Sequence, residues 1–235
     1  MSKIRVIFLN IKSKYFEISK HRKYFDIFTN KIYYPIATYF CALLSYTPIT
    51  PNMITLLAIL SELAAIYLII NDFSNYLILI VILLQLGWIL DLMDGMMARF
   101  KRIGFYHPER PSYKGYYLDA VSDHVLKFMI IGALGYQLSK THEYGWEIGM
   151  LALIIHAITQ TEHTLRELIT KSAQNTQLSI DRKLKDHIAL LMNNIYLFYL
   201  VFIPMNRVDL LLIIFTGVGL LLFLKRVVYF WINES

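Results

Sequence analysis

Apolar segments long enough to cross a bilayer recur along most of this chain, and they constrain its fold more than any other feature. A membrane-spanning helix needs about 20 consecutive apolar residues, and its backbone polar groups must be bonded within the protein. The predicted spans are residues 53–70, 76–92, 115–137, 146–161, 188–203 and 208–224. The hydrophobic share of 57% and the charged share of only 17% agree with this interpretation. We therefore predict an all-α integral membrane protein with six transmembrane helices.

The first 50 residues differ from the rest, because basic and aromatic residues alternate there. The basic members are Lys12, Lys14, Lys20, Arg22, Lys23 and Lys31, and the aromatic members are Tyr15, Phe16, Tyr24, Phe25 and Phe28. A helix of this composition suits a membrane surface, and a solvated arm is the alternative. The apolar stretch 33–46 could be a further interfacial helix. We predict a basic cytosolic arm with an amphipathic juxtamembrane helix at residues 1–50, and a six-span domain at residues 51–235.

Lysine and arginine are distributed unevenly between the two sides of the predicted membrane domain. Eight precede the first span, five lie at 99–114, five lie at 166–185 and two follow the last span. The opposite loops contain only Lys140 and Arg207. Since positive loops stay in the cytosol, both termini are predicted on the cytosolic side. The net charge of +6 could suggest nucleic acid, but its position beside apolar spans favours anionic lipid and phosphate substrates, and we expect no nucleic-acid partner.

Four aspartates lie near the cytosolic ends of the second and third spans, where a carboxylate is costly unless something compensates its charge. Asp91 and Asp94 are three residues apart and share one helix face. Asp119, Asp123 and Lys127 follow one another at steps of four and share another face. Two such helices facing each other would bring four carboxylates together, and hard divalent cations would remove the repulsion. We predict a site for one or two cations, which could clamp a diphosphate.

The pattern Asp-x2-Asp-Gly-x2-Ala-Arg, followed by Gly-x3-Asp-x3-Asp, resembles the signature of the CDP-alcohol phosphotransferases, or CDP-alcohol phosphatidyltransferases. Its eight residues are Asp91, Asp94, Gly95, Ala98, Arg99, Gly115, Asp119 and Asp123. The sequence Thr50-Pro51-Asn52, just before the first span, is also similar to that family. Fifteen residues separate Arg99 from Gly115, which is more than the family usually has. The insertion falls in the predicted cytosolic loop 100–114, so both motif helices stay intact while the substrate preference of better-known members does not carry over.

The resemblance implies a role for each residue that matches the motif. Asp91, Asp94 and Asp119 would bind Mg²⁺ or Mn²⁺, and Asp123 would bind metal and also take the proton from the incoming hydroxyl as the catalytic base. The implied nucleotide contacts are Asn52, Gly95, Ala98, Arg99 and Gly115. The candidates for acceptor or phosphate binding are Arg110, Lys114 and Lys127. For Lys127 the alternative is a structural partner of Asp123 one helical turn away, and for the other two it is a solvated or lipid-facing loop.

The reaction implied by the resemblance transfers a phosphoalcohol group from a CDP-alcohol to a second alcohol, with release of CMP, in phospholipid biosynthesis. Likeness to the bacterial-type phosphatidyltransferases favours CDP-diacylglycerol as donor, and the family implies a homodimer in the cell (inner) membrane. Transfer of a headgroup from a soluble CDP-alcohol to a lipid acceptor is the alternative. A prenyltransferase would also use Asp-rich motifs, but it lacks the Asp-Gly-x2-Ala-Arg element. From a different class, a divalent-cation carrier would suit intramembrane aspartates, although its site is expected near the bilayer midplane.

Polar residues also crowd the cytosolic end of the fourth predicted span. They are His156, Thr159, Gln160, Glu162, His163 and Arg166. They could line the acceptor pocket, or they could form hydrogen bonds between helices.

Overall fold

In the computed structural model, which describes residues 3–23, 26–103, 113–173 and 194–233, every regular element of those residues is helical. The α-helices are α1 (Lys3–Ser19), α2 (Tyr34–Leu44), α3 (Pro51–Asp72), α4 (Leu77–Phe100), α5 (Tyr113–Ser139), α6 (Gly145–Ala173), α7 (Ile195–Phe202) and α8 (Val208–Asn233). A π-helical turn, Thr29–Tyr33, leads directly into α2. The all-α prediction is confirmed for the described residues.

Three of the described helices are long and apolar enough to cross a membrane, namely Pro51–Asp72, Leu77–Phe100 and Val208–Ile232. They correspond to the first, second and sixth predicted spans. The third and fourth predicted spans lie within α5 and α6, which have 27 and 29 residues but a more polar composition. The fifth, 188–203, begins outside the described residues, and α7 forms its later part. The structure thus supports a membrane protein, while six crossings stay a prediction.

The chain forms two compact units. The first comprises Met1–Tyr67 with Leu79–Lys127, and the second comprises Leu68–Ile78 with Phe128–Ser235. These units are defined by internal contacts, so they do not test the predicted boundary at residue 50 between the N-terminal arm and the membrane domain, which stays a prediction.

In the first unit, the segment that follows α1 is tied to α2 and to α1 itself. Arg22 makes this link, since its Nε donates to the hydroxyl of Thr38 at 2.9 Å and a terminal nitrogen donates to Tyr15 at 2.9 Å. The hydroxyl of Thr38 also lies 3.6 Å from Sδ of Met96 in α4, and the side chains of Met96 and Met97 are fully buried. The N-terminal region is therefore packed on α2, which in turn contacts α4.

The cytosolic end predicted for α4 is closed by a Schellman motif, which places the signature arginine at a defined turn. The N–H of Ile103 bonds to the carbonyl of Ala98 at 2.8 Å, and that of Arg102 bonds to the carbonyl of Arg99 at 3.2 Å. Arg102 takes the left-handed conformation, with φ of 54°, that this motif requires. Because the capping bonds run to Ala98 and Arg99 themselves, the backbone around the first half-motif is fixed.

In the second unit, α5 and α6 approach each other at a pair of glycines. A Cβ built on Gly135 would lie 2.8 Å from the Cα of Gly149, and one built on Gly149 would lie 2.5 Å from the Cα of Gly135. Contacts this close leave no room for a side chain at either position unless the two helices move apart. Small residues of this kind allow membrane helices to pack backbone to backbone.

Candidate active site

Three of the four predicted aspartates converge in the first unit. One carboxylate oxygen from each of Asp91, Asp94 and Asp119 lies within 4.8 Å of the others. Asp91 and Asp94 come from one face of α4, and Asp119 comes from α5. Asp94 is the most deeply buried of the three, with 4% of its surface exposed. The two halves of the predicted motif, separated in sequence by a long loop, are therefore brought together by the fold.

The donor set fits a hard divalent cation. Mg²⁺ and Mn²⁺ prefer carboxylate oxygens, and Mg²⁺ bonds of about 2.1 Å put opposite ligands about 4.2 Å apart. The three oxygens lie within 4.8 Å of one another, so they surround a space in which one such ion could be held. Three carboxylates this close repel each other when ionised, and a bound divalent cation would relieve that repulsion.

Thr55 orients Asp94, the most buried aspartate of this cluster, and the sequence analysis had not identified Thr55 as a site residue. Its hydroxyl, on α3, donates to Oδ2 of Asp94 at 2.5 Å, and the Thr55 side chain is itself buried. A hydrogen bond to one carboxylate oxygen fixes the rotation of the group and directs the other oxygen. Thr55 lies one turn after Asn52 in the first predicted span, but nothing in the sequence indicates its partner thirty-nine residues away.

Asp123 lies one turn beyond Asp119 and is held by a cation of its own helix. The ammonium of Lys127 contacts both carboxylate oxygens of Asp123 at 2.7 Å, and only 14% of the Lys127 side chain is exposed. Asp123 is also within electrostatic reach of Asp91 and Asp119. Its roles as a fourth metal ligand and as the catalytic base stay predictions, as does a contact between Lys127 and a substrate phosphate.

Arg99 covers the glycine of the signature and ties it to the N-terminal region. One terminal nitrogen of its guanidinium lies 3.1 Å from the position that a Cβ on Gly95 would take. Its Nε donates to the backbone carbonyl of His21 at 2.7 Å. The surface over Gly95, which the sequence analysis assigned to a nucleotide, is thus occupied by the arginine in this structure. Contacts of Gly95 with a nucleotide and of Arg99 with a substrate phosphate stay predictions.

The remaining predicted site residues differ in their exposure. Ala98 and Gly115 are half-buried, whereas Asn52 and Lys114 are exposed. Arg110 lies outside the described residues, together with most of the predicted loop 100–114. The proposed contacts of all five with substrate stay predictions.

The polar end of the fourth predicted span makes contacts within the second unit. Glu162 of α6 pairs with Arg226 of α8 at 3.4 Å, and the ring of His156 lies between those of Phe128 and Phe215. The hydroxyl of Thr159 bonds to backbone carbonyls of its own helix. The ion pair agrees with the interhelical alternative from the sequence. The side chains of His163 and Arg166 lie outside what the structure describes.

A family model described as CDP-alcohol phosphatidyltransferase matches residues 48–231. The matched range includes both halves of the signature, the Thr50-Pro51-Asn52 sequence and every helix from α3 to α7. No curated protein matches the chain significantly.

Proposed function

Because this chain belongs to the CDP-alcohol phosphatidyltransferase family, we propose that it transfers a phosphatidyl group from CDP-diacylglycerol to a small alcohol and releases CMP. One observation carries the proposal. The signature aspartates of two different helices, Asp91, Asp94 and Asp119, offer oxygens within 4.8 Å of one another. That arrangement is what a diphosphate substrate bound through divalent cations requires.

The reaction exchanges one ester for another at a single phosphorus atom. The hydroxyl oxygen of the acceptor attacks the phosphorus that bears the diacylglycerol, and the bond from this phosphorus to the bridging oxygen breaks. That oxygen leaves as part of CMP with the electron pair of the bond. The proton of the acceptor passes to the carboxylate of Asp123 as general base. Arg99 forms charge-assisted hydrogen bonds to the donor phosphates, since its fork of N–H groups matches phosphate geometry.

Asp91, Asp94 and Asp119 would hold Mg²⁺ or Mn²⁺, with two ions expected and Asp123 as a further ligand. When bound, the cations supply charge neutralisation for the diphosphate and for the leaving CMP. Thr55 keeps Asp94 in the rotation that serves this purpose. Asn52, Gly95, Ala98 and Gly115 are proposed to contact the nucleotide. Arg110, Lys114 and Lys127 are proposed to contact the acceptor or a phosphate.

The membrane arrangement is part of the proposal. It consists of six spans in the cell (inner) membrane, with both termini and the carboxylate cluster on the cytosolic side, where nucleotide-activated substrates are found. The excess of lysine and arginine in the loops at that side supports the orientation. A homodimer is proposed from family membership alone.

The decisive experiment measures two products of the same reaction. The purified protein in lipid nanodiscs is given CDP-diacylglycerol, Mg²⁺ or Mn²⁺, and a panel of small polyols, polyol phosphates and amino alcohols. We expect CMP by chromatography and a new phospholipid by mass spectrometry in equal amounts with at least one acceptor. Both products should disappear with EDTA and in a double variant that carries Asp91→Asn and Asp94→Asn. Absence of CMP with every acceptor and both ions would refute the proposal.

The same preparation distinguishes the alternatives. CMP that appears only when a soluble CDP-alcohol is supplied together with diacylglycerol would reverse the roles of donor and acceptor lipid. Pyrophosphate in place of CMP would indicate prenyl transfer. Uptake of Mn²⁺ into proteoliposomes without any lipid product would indicate a cation carrier.

A further inference from the structure

A fifth acidic residue lies in the same unit as the carboxylate cluster, within a helix that is otherwise apolar. Glu62 is in the middle of α3, and only 5% of its surface is exposed. An ionisable side chain inside a membrane span is costly, and it is usually paired and functional. The signature of the family does not contain this position.

Gly87 of α4 provides the space in which the Glu62 side chain lies. A Cβ built on Gly87 would be 2.5 Å from Cγ of Glu62 and 2.8 Å from its Oε1. Any other residue at position 87 would therefore displace the glutamate. Gly87, Asp91 and Asp94 are at i, i+4 and i+7, so they share one face of α4. Glu62 is consequently packed on the same helix face that carries the predicted metal ligands, about one turn from Asp91.

The two pairs of contacts between α3 and α4 have the same register. Thr55 of α3 contacts Asp94 of α4, and Glu62 of α3 contacts the position of Gly87 in α4. The two α3 residues are seven apart in sequence, and so are the two α4 residues. Residues seven apart in a helix lie on one face. The face of α3 that orients Asp94 is therefore the face that presents Glu62 two turns deeper in the span.

Lys127 is the cation that connects Glu62 with the site. Its ammonium holds both oxygens of Asp123, and it also interacts electrostatically with Asp91 and Glu62. The ammonium of Lys127 is thus subject to the attraction of Asp123 and Asp91 at the site and of Glu62 on α3. An ammonium attracted only towards the site would compete with a metal ion for the oxygens of Asp91.

We propose that Glu62, seated against Gly87, is a positioning residue that draws the ammonium of Lys127 away from Asp91 and thereby keeps the metal-binding oxygens open. Lys127 in turn fixes the orientation of Asp123. The kinetic part of this inference rests on the proposed function, because it assumes that the aspartates bind the catalytic ions. The structural part, the coupling of Glu62 with Lys127, does not depend on any reaction.

The kinetic test compares Glu62→Gln, Glu62→Asp and Gly87→Ala in the full-length protein. Mutation of residues that support metal ligands typically changes metal affinity or activity by about 10–100-fold. Glu62→Gln should therefore lower kcat by a factor in this range and raise the Mg²⁺ concentration that gives the half-maximal rate. The KM for the donor should stay within about twofold of the wild-type value. Glu62→Asp should recover part of the loss because it keeps the charge. Gly87→Ala should reproduce the loss by displacing the glutamate. Gly132→Ala is the control, since a Cβ there is 3.9 Å from its nearest neighbour, Leu153.

The structural test uses thermal unfolding in nanodiscs and needs no substrate. The variants are Glu62→Gln, Lys127→Met and the double variant, with Lys127→Gln in place of Lys127→Met if the latter does not fold. Removal of Lys127 takes away the cation to which the charge of Glu62 is proposed to be coupled, so Glu62→Gln should destabilise the protein less in the Lys127 variant than in the wild type, and the cycle should be non-additive. Additive effects would overturn the inference, as would normal kinetics for Glu62→Gln in an active wild type. If the wild type forms no CMP, the proposed function fails, and the unfolding cycle still decides whether Glu62 and Lys127 are coupled.

Discussion

The hydroxyl of Thr55 on α3 donates a 2.5 Å hydrogen bond to the carboxylate of Asp94 on α4, and both side chains are buried. The bond links the first predicted span to the signature of the second. The same carboxylate contributes one oxygen to the cluster formed with Asp91 and Asp119. A residue outside the signature therefore sets the geometry of a signature residue.

Thr55→Val should weaken metal binding while leaving the fold intact. Valine keeps the shape of threonine but cannot donate, so the carboxylate of Asp94 loses one of the bonds that restrict its rotation, and loss of such a partner typically costs about 10–100-fold in metal affinity. The measurement is Mn²⁺ binding by electron paramagnetic resonance, together with the Mg²⁺ dependence of CMP release. Thr216→Val is the matched control, because Thr216 is equally buried and its hydroxyl has no hydrogen-bond partner among the described residues. Unchanged Mn²⁺ affinity in Thr55→Val would show that Asp94 does not need this bond.

Arg99→Ala should raise the KM for the donor more than it lowers kcat. The arginine is proposed to bind a phosphate, and a hydrogen bond to a charged group is worth about 1.5–3 kcal/mol, which corresponds to about a tenfold change or more in KM. Lys101→Ala is the control from the same helix end. Its ammonium also bonds to a backbone carbonyl, that of Ile49 at 2.6 Å, but it belongs to no part of the proposed site. Equal kinetic changes in the two variants would mean that Arg99 acts only by holding its helix end.

The contacts of Arg99 also show where sequence reasoning reached its limit. The i, i+3 and i, i+4 spacings predict which aspartates share a helix face, and the fold brings Asp91, Asp94 and Asp119 together as that prediction requires. The spacing cannot show that the guanidinium lies over Gly95 and bonds to His21, because that carbonyl lies seventy-eight residues earlier. Partners far apart in sequence are determined by helix packing, which one sequence does not specify.

The sequence did contain a signal for Glu62, although the sequence analysis did not identify this residue as part of the site. It is an acidic residue inside a predicted span, which is the same observation that identified the four aspartates. The aspartates were recognised because they recur at helical spacing and Glu62 occurs alone. Its neighbour Gly87 was equally inconspicuous, because a glycine in an apolar run gives no indication of what lies against it. Thr55 had no signal at all.

Asp123→Asn should abolish turnover and leave nucleotide binding largely intact. Asparagine keeps the size of the side chain but cannot accept the proton of the acceptor, and loss of a general base typically costs about 10²–10⁴-fold in rate. CMP release reports the rate, and calorimetric titration with a CDP-alcohol in the presence of Mg²⁺ reports binding. Asp72→Asn is the control at a half-buried aspartate whose carboxylate accepts a hydrogen bond from Asn75. Near-normal turnover in Asp123→Asn would remove Asp123 from the role of base.

Membrane orientation can be read from two engineered cysteines. Cys41 is the single cysteine of the chain and is fully buried, so Cys41→Ala gives a background without reactive thiols. On this background, Ser74→Cys, between α3 and α4, should react with a membrane-impermeant maleimide in intact cells. Arg102→Cys, at the opposite end of α4, should react only after permeabilisation, because the positive loops are predicted in the cytosol. The reverse labelling pattern would place the carboxylate cluster on the outside and contradict the proposed access of cytosolic nucleotide.

The glycine pair between α5 and α6 predicts a stability effect that is independent of the active site. Gly135→Ala should destabilise the protein by about 1–3 kcal/mol, because the new methyl group would lie 2.8 Å from the backbone of Gly149 and force the helices apart. Gly217→Ala in α8 is the matched control, since a Cβ there meets nothing within 4 Å. It should be neutral or stabilising by up to about 1 kcal/mol, because alanine favours the helix over glycine. Thermal unfolding in nanodiscs measures both variants, and equal effects would mean that α5 and α6 do not pack at this pair.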